Sequence, residues 1–261
     1  NLGKVKGKII WDDAKNILWF ENLEATQGRT RLMARGQVDL GDVEDLNIDV
    51  DVTQGTVPDF HTIFEWFITQ NIPWYPKEIS GSLFGKIFVR GKPELNQFSA
   101  EGDMQARDLE YFREIIRYAK FRAGYRKGAF VAENVEIQKK SGWFRGGIVF
   151  GADDTLQFHA VSEKFSTLDV DQFAFFDIPY RAPIFFETQG EGKLGALKSV
   201  TKIKIGSGKI KNLDVKPSEI NIVTQNKRVE ADAKIFGSQG HFGINYGWER
   251  LSNSSFEFSL G

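Results

Sequence analysis

The stretch that decides the fold is Arg29–Leu40, which reads RTRLMARGQVDL. Every second residue in it is apolar or small, and most of the residues between are charged or carry an amide. The first set is Thr30, Leu32, Ala34, Gly36, Val38 and Leu40. Alternation with a period of two fits a β-strand and does not fit a helix. This stretch therefore predicts a long strand with one apolar and one polar face.

The same alternation recurs along the chain. In the next segment, Leu46, Ile48, Val50 and Val52 alternate with polar residues. Further alternating runs are Leu83–Val89, Phe98–Ala106, Leu156–Ala160, Thr201–Ile205, Val229–Ile235 and Phe242–Trp248. Turn-forming sequences such as WDDA (11–14) and GADD (151–154) separate the runs. The chain is therefore predicted to be all-β, with a long antiparallel meandering sheet.

One segment follows a helical period instead. In VPDFHTIFEWFI, which begins at Val57, the residues Phe60, Ile63, Phe64 and Phe67 lie at i, i+3, i+4 and i+7. Pro58 suits the first turn of a helix. We predict a short amphipathic helix at about 58–70, and a weaker relative of it at 166–176.

Composition narrows the classes of function. The chain has 261 residues, of which 41% are hydrophobic, and its formal net charge is −1. That charge argues against nucleic acid as the main partner, because phosphate binding needs an excess of basic residues. The absence of cysteine excludes disulfides, zinc–thiolate sites and cysteine nucleophiles. The chain starts at Asn1 without a signal-like or membrane-spanning apolar segment, so we expect a fragment of a longer protein.

Short phrases suggest loose internal repeats. NLE (22–24), NVE (134–136) and RVE (228–230) each open a strand, and a glycine-containing turn follows each of them. Stacked repeats supply the core that a single unit lacks. We predict one continuous elongated body over 1–261, with repeats at approximately 1–80, 81–183 and 184–261.

Motifs typical of enzymes are weak. GEGKLG (190–195) matches a dinucleotide fingerprint, but the alternating residues 200–206 follow it where the fingerprint needs a helix, which favours a hairpin. His61, His159 and His241 lack metal-ligand spacing. The pairs Asp49/Asp51 and Asp169/Asp171 would each share one face of a strand, which is typical of a solvated face. We predict no enzyme activity, no cofactor and no metal.

The apolar face of a wide sheet must be shielded from water. A second sheet or closure into a barrel would do so, whereas an open, curled sheet leaves an apolar trough suited to acyl chains.

Alternating strands with glycine breaks, the short helix after Val57 and three phrases share one style. The phrases are RLMARGQVDLG (31–41), GSLFGKIFVRGK (81–92) and KGAFVAENVEI (127–137). In these features the chain resembles the AsmA-like superfamily and, within it, the TamB-type (translocation and assembly module) proteins of Gram-negative bacteria. This chain departs from the family in its high phenylalanine content.

The resemblance implies a fold and a function. It implies an open, U-shaped β-groove (a β-taco), anchored in the inner membrane by a helix outside this fragment and crossing the periplasm. Such proteins are thought to carry phospholipid between the inner and outer membranes in outer-membrane biogenesis. TamB-type members pair with an outer-membrane barrel-assembly protein. The family has no catalytic residues, and its functional surface is the apolar lining of the groove.

We predict the lining by combining that implication with the alternation, since polar groups facing lipid tails would lack partners. The predicted lining residues are Leu32, Ala34, Val38, Leu40, Leu46, Ile48, Val50, Val52, Leu83, Ile87, Val89, Ala231, Ala233, Ile235 and Ile244. The helix residues Phe60, Ile63, Phe64 and Phe67 would cap, plug or gate the trough. The alternative hypothesis is a closed β-sandwich or barrel that serves as a structural or adhesion module without lipid.

Overall fold

The chain is built from antiparallel strands joined mostly by short turns. A computed structural model describes residues 3–42, 44–71, 78–94, 96–111, 113–171, 180–245 and 256–260. The strands form an antiparallel, meandering sheet that is not closed into a barrel, which confirms the predicted fold class. The chain divides into two compact units, Asn1–Val131 (unit 1) and Ala132–Gly261 (unit 2).

In unit 1 each strand pairs with the next one along the chain. The strands are β1 (Lys4–Asp12), β2 (Ile17–Gln27), β3 (Thr30–Asp39), β4 (Asp45–Thr56), β5 (Ser80–Gly91), β6 (Phe98–Tyr111) and β7 (Glu114–Arg126). The helix α1 (Val57–Asn71) lies between β4 and β5 in the sequence. It agrees with the predicted helix within one residue at each end.

The strands that follow the first seven begin with β8, which crosses the boundary between the units. They are β8 (Ala129–Gln138), β9 (Trp143–Gly151), β10 (Thr155–Glu163), β11 (Phe165–Ser166), β12 (Tyr180–Arg181), β13 (Pro183–Lys193), β14 (Lys198–Ile205), β15 (Gly208–Ile210), β16 (Leu213–Val215), β17 (Ser218–Gln225), β18 (Arg228–Ile235), β19 (Ser238–Asn245) and β20 (Phe256–Leu260). In unit 2 the large sheet pairs in the order β9-β10-β13-β14-β17-β18-β19-β20. A small sheet contains β12, β15 and β16. The predicted alternating runs fall on strands, except that 246–248 lie outside the described residues.

β-Bulges keep the apolar residues of unit 1 in phase. Phe20 pairs with Gly36, but the next described pair joins Leu23 to Ala34, so β2 holds one extra residue there. Asn22 lies in this bulge with a φ of 49°. Asn tolerates the left-handed region better than most residues. The bulge returns Leu23 to the face of Phe20.

A carboxylate fixes the start of α1 to the β2–β3 turn. Asp59 accepts hydrogen bonds from the Arg29 amide (2.8 Å) and from the Thr30 hydroxyl (3.0 Å). The Thr30 hydroxyl in turn accepts from the Thr56 amide (3.0 Å), and Thr30 is fully buried. Desolvation raises the pKa of Asp59, but hydrogen bonds from Thr56, Arg29 and Thr30 outweigh it and lower the pKa overall. The turn and the helix are therefore held as one piece.

Unit 2 uses the same device at its β8–β9 turn. Asp169 ends the 3-10 helix Thr167–Asp169, and its side chain is fully buried. Its carboxylate accepts from the amide and hydroxyl of Ser141 (2.6 and 2.8 Å) and from the Gly142 amide (3.2 Å). It also accepts from the amide and hydroxyl of Ser166 (2.9 and 3.2 Å). Desolvation raises the pKa of Asp169, but these hydrogen bonds lower it overall.

Asp169→Asn should lower the free energy of unfolding by about 2 to 3 kcal/mol, because an amide nitrogen would face donors in a buried site. A carboxyl with a lowered pKa stabilises the fold above its unfolded pKa, and that contribution is lost as the pH falls through the folded pKa. The difference in the free energy of unfolding between wild type and variant, measured by urea denaturation, should therefore be largest near neutral pH and shrink below about pH 4. The exposed Asp214→Asn is the control. A difference that stays constant down to pH 3 (about one unit below an ordinary Asp) would contradict this assignment.

Candidate functional site

Unit 1 presents one continuous apolar face. Residues directly opposite each other in an antiparallel sheet point to the same side. The cross-strand rows of this face, from β3 to β7, are Gly36–Ile48–Val89–Ala100–Tyr125, Ala34–Val50–Ile87–Gly102–Ala123 and Leu32–Val52–Gly85–Met104–Phe121. Across five strands about 4.8 Å apart, each row is roughly 19 Å wide.

The predicted lining residues that lie on β3, β4 and β5 fall on this face together. Val38 pairs with Leu46, and Leu83 pairs with Gly55 and Ala106 at the opposite end of the face. Most of these side chains are half-buried, whereas Val52 is 3% exposed. Leu40 follows the end of β3 and is 54% exposed. The pairing thus brings into one surface residues that lie far apart in the sequence.

Two glycines on this face allow neighbouring strands to pair closely. At Gly36 the φ of 141° is one that L-residues with side chains rarely adopt, and a Cβ there would lie 2.0 Å from the Asn47 carbonyl oxygen. Gly85 is similar, with a φ of 145° and a Cβ position 2.2 Å from the Asp103 carbonyl oxygen. The neighbouring strands therefore approach each other closely at these points, which only glycine permits.

The opposite face of unit 1 is a network of ion pairs. Asp49 pairs with Arg90 and lies 3.9 Å from Arg35, and Asp51 lies 3.7 Å from Lys86. Asp49 and Asp51 therefore share a strand face as predicted, and both carboxylates face cations. This arrangement fits a solvated outer surface rather than acid–base chemistry.

Glu101 on β6 extends the network. It lies 3.3 Å from Arg122 and also pairs with Arg126. The hydrogen bond from Arg126 is the largest influence on its pKa, which is lowered although partial burial opposes the shift.

Helix α1 covers one end of the apolar face of unit 1. It contacts β4 and β5, and the Phe60 ring lies over Gly55, 2.7 Å from where a Cβ would be. Ile63 is 7% exposed, and the buried residues Met104 and Ala106 lie in the rows nearest this end. The side chains of Phe64 and Phe67 lie outside the described residues. The helix therefore covers one end of the face and leaves the other rows half-exposed.

Unit 2 has a similar apolar face. Its main rows from β13 to β19 are Phe186–Ile203–Ile220–Ala233–Gly240 and Thr188–Thr201–Ile222–Ala231–Phe242. The predicted residues Ala231 and Ala233 lie in these rows and are half-buried. Ile235 ends β18 and is 46% exposed. Ile244 pairs with Val229, and its side chain lies outside the described residues.

Phenylalanines cluster near the start of β13. The Phe144 ring lies 5.1 Å from Phe186 and 5.8 Å from Phe165, centroid to centroid. The Ser162 hydroxyl accepts a hydrogen bond from the Phe186 amide (2.7 Å). This packing explains part of the high phenylalanine content.

The small sheet of β12, β15 and β16 lies beside the start of β13. The sequence analysis did not predict this sheet. Tyr180 is 7% exposed, and its hydroxyl donates to the Gly206 carbonyl oxygen at 3.3 Å. Its ring meets Phe236 edge to face, with centroids 6.0 Å apart. Burial raises the pKa of Tyr180. The strands β12, β15 and β16 are only two or three residues long, too short to show a period.

The motifs typical of enzymes take the structures of turns and strands. Gly190 and Gly192 lie in β13, and Gly195 lies in the 3-10 helix 194–196 that leads into β14, so GEGKLG forms part of an antiparallel hairpin. Among the described residues, no group of three or more potential ligands could hold a metal ion.

The prediction that Asp169 and Asp171 share a strand face is wrong. Asp169 is buried in the 3-10 turn, where the capping box formed with Ser166 overrides strand alternation. Asp171 pairs with Lys139 (2.8 Å), which is itself buried, and with Lys140 (2.6 Å). Both carboxylates serve the β8–β9 turn.

Comparisons with protein-family models, curated proteins and solved structures found no match to this chain. Within the described part of the chain, no helix combines the length and apolar character that a membrane span requires.

Ile63→Ala should lower the free energy of unfolding by about 2 to 4 kcal/mol, because it leaves a cavity between α1 and the sheet. It should also raise the fluorescence of an apolar dye such as anilinonaphthalene sulfonate, as the covered end of the face opens. The exposed Glu65→Ala is the matched control on the same helix. Equal unfolding curves and equal dye binding for the two variants would show that α1 is not packed on the face.

Proposed function

We propose that this chain is a segment of a periplasmic lipid-transfer groove. Acyl chains would lie along the apolar faces of units 1 and 2, while headgroups stay in water. The observation that carries the proposal is the continuous, half-exposed apolar face of unit 1, which is five strands wide, while the opposite face of the same strands carries ion-paired residues. Exposed apolar patches of this extent mark binding surfaces in soluble proteins.

The contrast between the two faces supports the proposal. On β3 and β4, Arg31, Arg35 and Asn47 are exposed, whereas Ala34 and Ile48 on the other side are half-buried. Such a difference is typical of a sheet that curls with its apolar side inward, and bulges of the kind at Asn22 increase strand bending. A curled apolar trough can shield acyl chains and needs no catalytic groups.

The resemblance to TamB-type proteins extends the proposal to a cellular setting. In that setting the segment belongs to a protein anchored in the inner membrane, crosses the periplasm, moves phospholipid for outer-membrane biogenesis, and meets an outer-membrane barrel-assembly protein. The mechanism is passive sliding along an apolar channel.

Val38→Asp tests the groove directly, because it places a charge on the apolar face beside Leu46. Chain produced in a bacterial periplasm and purified without detergent should yield co-purified phospholipid by organic extraction and mass spectrometry. The variant should lose most of that lipid, since an unpaired carboxylate is costly among acyl chains. Gln37→Asp, the adjacent position on the opposite face, should keep it.

Urea denaturation establishes that both variants fold. If the Val38→Asp variant folds and co-purifies with as much lipid as wild type does, Val38 does not line the groove. A wild-type extract free of lipid would instead favour the structural or adhesion module.

Cysteine labelling gives a second readout, since the chain contains no natural cysteine. Ile87→Cys on the apolar face and Lys86→Cys on the opposite face would each carry an environment-sensitive fluorophore. Adding short-chain phospholipid should shift emission to the blue at position 87 and leave position 86 unchanged, because apolar surroundings lower the dielectric. Equal shifts at both positions would contradict lipid binding on one face.

A further inference from the structure

One end of unit 2 combines basic and exposed apolar side chains. We call it the basic tip and define it as Arg181, Lys209, Lys211, Leu213, Lys216, Ile235 and Phe236. Residues 206–217 carry three lysines and one acidic residue, Asp214, although the whole chain has a formal net charge of −1. Positive charge is therefore concentrated at this end of unit 2.

Strand pairing brings these residues together. Arg181 pairs with Lys209, and Lys209 pairs with Asp214, so the three share one face of the small sheet. Lys211 lies in the β15–β16 turn with a φ of 55°. Lys216 reaches the β18–β19 turn, where its Nζ would lie 3.7 Å from a Cβ at Gly237.

Most of the positive charge faces solvent. Lys209 forms a long ion pair (3.7 Å) with Asp214, and their side chains are 67% and 86% exposed. Exposed pairs of this kind contribute little energy and leave both groups open to solvent. Arg181, Lys211 and Lys216 are also exposed, and no ion pair joins them to another described residue.

Large apolar side chains project among these cations. Leu213 is 73% exposed, and Phe236 and Ile235 are each 46% exposed. Phe236 is held in place by its edge-to-face contact with the buried Tyr180. Nucleic-acid sites use cations with stacking or base-reading groups, whereas a leucine at a hairpin tip suits insertion among lipid chains.

The basic tip adjoins the apolar face of unit 2. The last row of that face is Ile184–Ile205–Ser218, at the start of β13 and the end of β14. Tyr180 bonds to Gly206, the residue directly after Ile205. An acyl chain on the face would therefore meet the tip at this end.

From this arrangement we infer that the basic tip docks on an anionic lipid surface. Its lysines and arginine meet the headgroups, and Leu213 enters the interface. The inference rests on the proposed function for its role, since a lipid groove must load from or deliver to a membrane. The charge complementarity that supports it is independent of the groove.

The test uses vesicle co-sedimentation with the whole chain. Vesicles of phosphatidylcholine are compared with vesicles of an equal mixture of phosphatidylcholine and phosphatidylglycerol. Wild type should bind the mixed vesicles preferentially. Lys209→Glu/Lys211→Glu/Lys216→Glu should weaken that binding about tenfold or more, since each basic residue near an anionic surface contributes to the attraction. Lys4→Glu/Lys92→Glu/Lys120→Glu, equally charged but in unit 1, should bind like wild type.

A single Leu213→Ser variant tests the apolar part, and because Leu213 is 73% exposed the substitution leaves no cavity in the fold. It should also weaken binding to mixed vesicles. Wild-type binding by Leu213→Ser, with loss in the lysine variant, would show that the contact with the vesicle is electrostatic alone and would overturn the insertion of Leu213. Equal weakening by both triple variants would show a non-specific charge effect and would also overturn it.

Failure of the tip and failure of the groove are distinguishable. The triple variant at the tip should still co-purify with phospholipid, whereas Val38→Asp should lose phospholipid and still bind mixed vesicles. If wild type co-purifies with phospholipid but shows no preference for anionic vesicles, the docking role of the basic tip is wrong and the groove proposal is unaffected.

Discussion

The structure depends on keeping apolar residues on one face of a wide antiparallel sheet. Directly paired residues share a face, so a register slip of one residue would turn a strand's apolar side chains to the polar side. Rows such as Ala34–Val50–Ile87 hold only if every strand between β3 and β7 keeps its phase. The ion pairs of Asp49 and Asp51 on the other face reinforce the same register, because each joins neighbouring strands.

The bulges follow from this constraint. The sequence of β6 has apolar or small residues at 100, 102, 104 and 106, but the register with β5 shifts after Arg107 and the next apolar residue on that face is Leu109. An extra residue, Asp108, with a φ of 49°, absorbs the difference. The same occurs at Asn22 in β2. An Asn or Asp at a point where the alternation skips one residue is therefore a sequence signal for a bulge. The sequence shows this signal at both Asn22 and Asp108.

Much of the fold could be predicted from sequence because its signal is local. The alternation of Arg29–Leu40 and the helical period after Val57 each depend on nearby residues. The parts that could not be predicted depend on contacts between distant residues. Asp169 looks like a strand residue until the Ser141 and Gly142 amides meet it, and the small sheet of β12, β15 and β16 is too short to show a pattern. Placing the lining residues of unit 1 on one surface required only the alternation and the order of the strands. Placing α1 over one end of that surface required the bond between Asp59 and the β2–β3 turn.

The two anchoring carboxylates show why a sheet of this kind can keep an apolar face partly open. A face buried under a second sheet gains stability over its whole area, whereas a half-exposed face must be fixed by other interactions. In unit 1, Asp59 ties the covering helix to a turn through hydrogen bonds at one end of the face, and in unit 2 Asp169 ties the 3-10 turn to the β8–β9 turn. Charge-assisted hydrogen bonds are directional and stronger than neutral ones, so a few of them can fix the position of a covering element. The remaining rows, such as the one through Val89 and Ala100, then keep their apolar side chains half-exposed. Gly36 and Gly85 keep the strands of this face closely paired, because a Cβ at either position would collide with a carbonyl oxygen of the neighbouring strand.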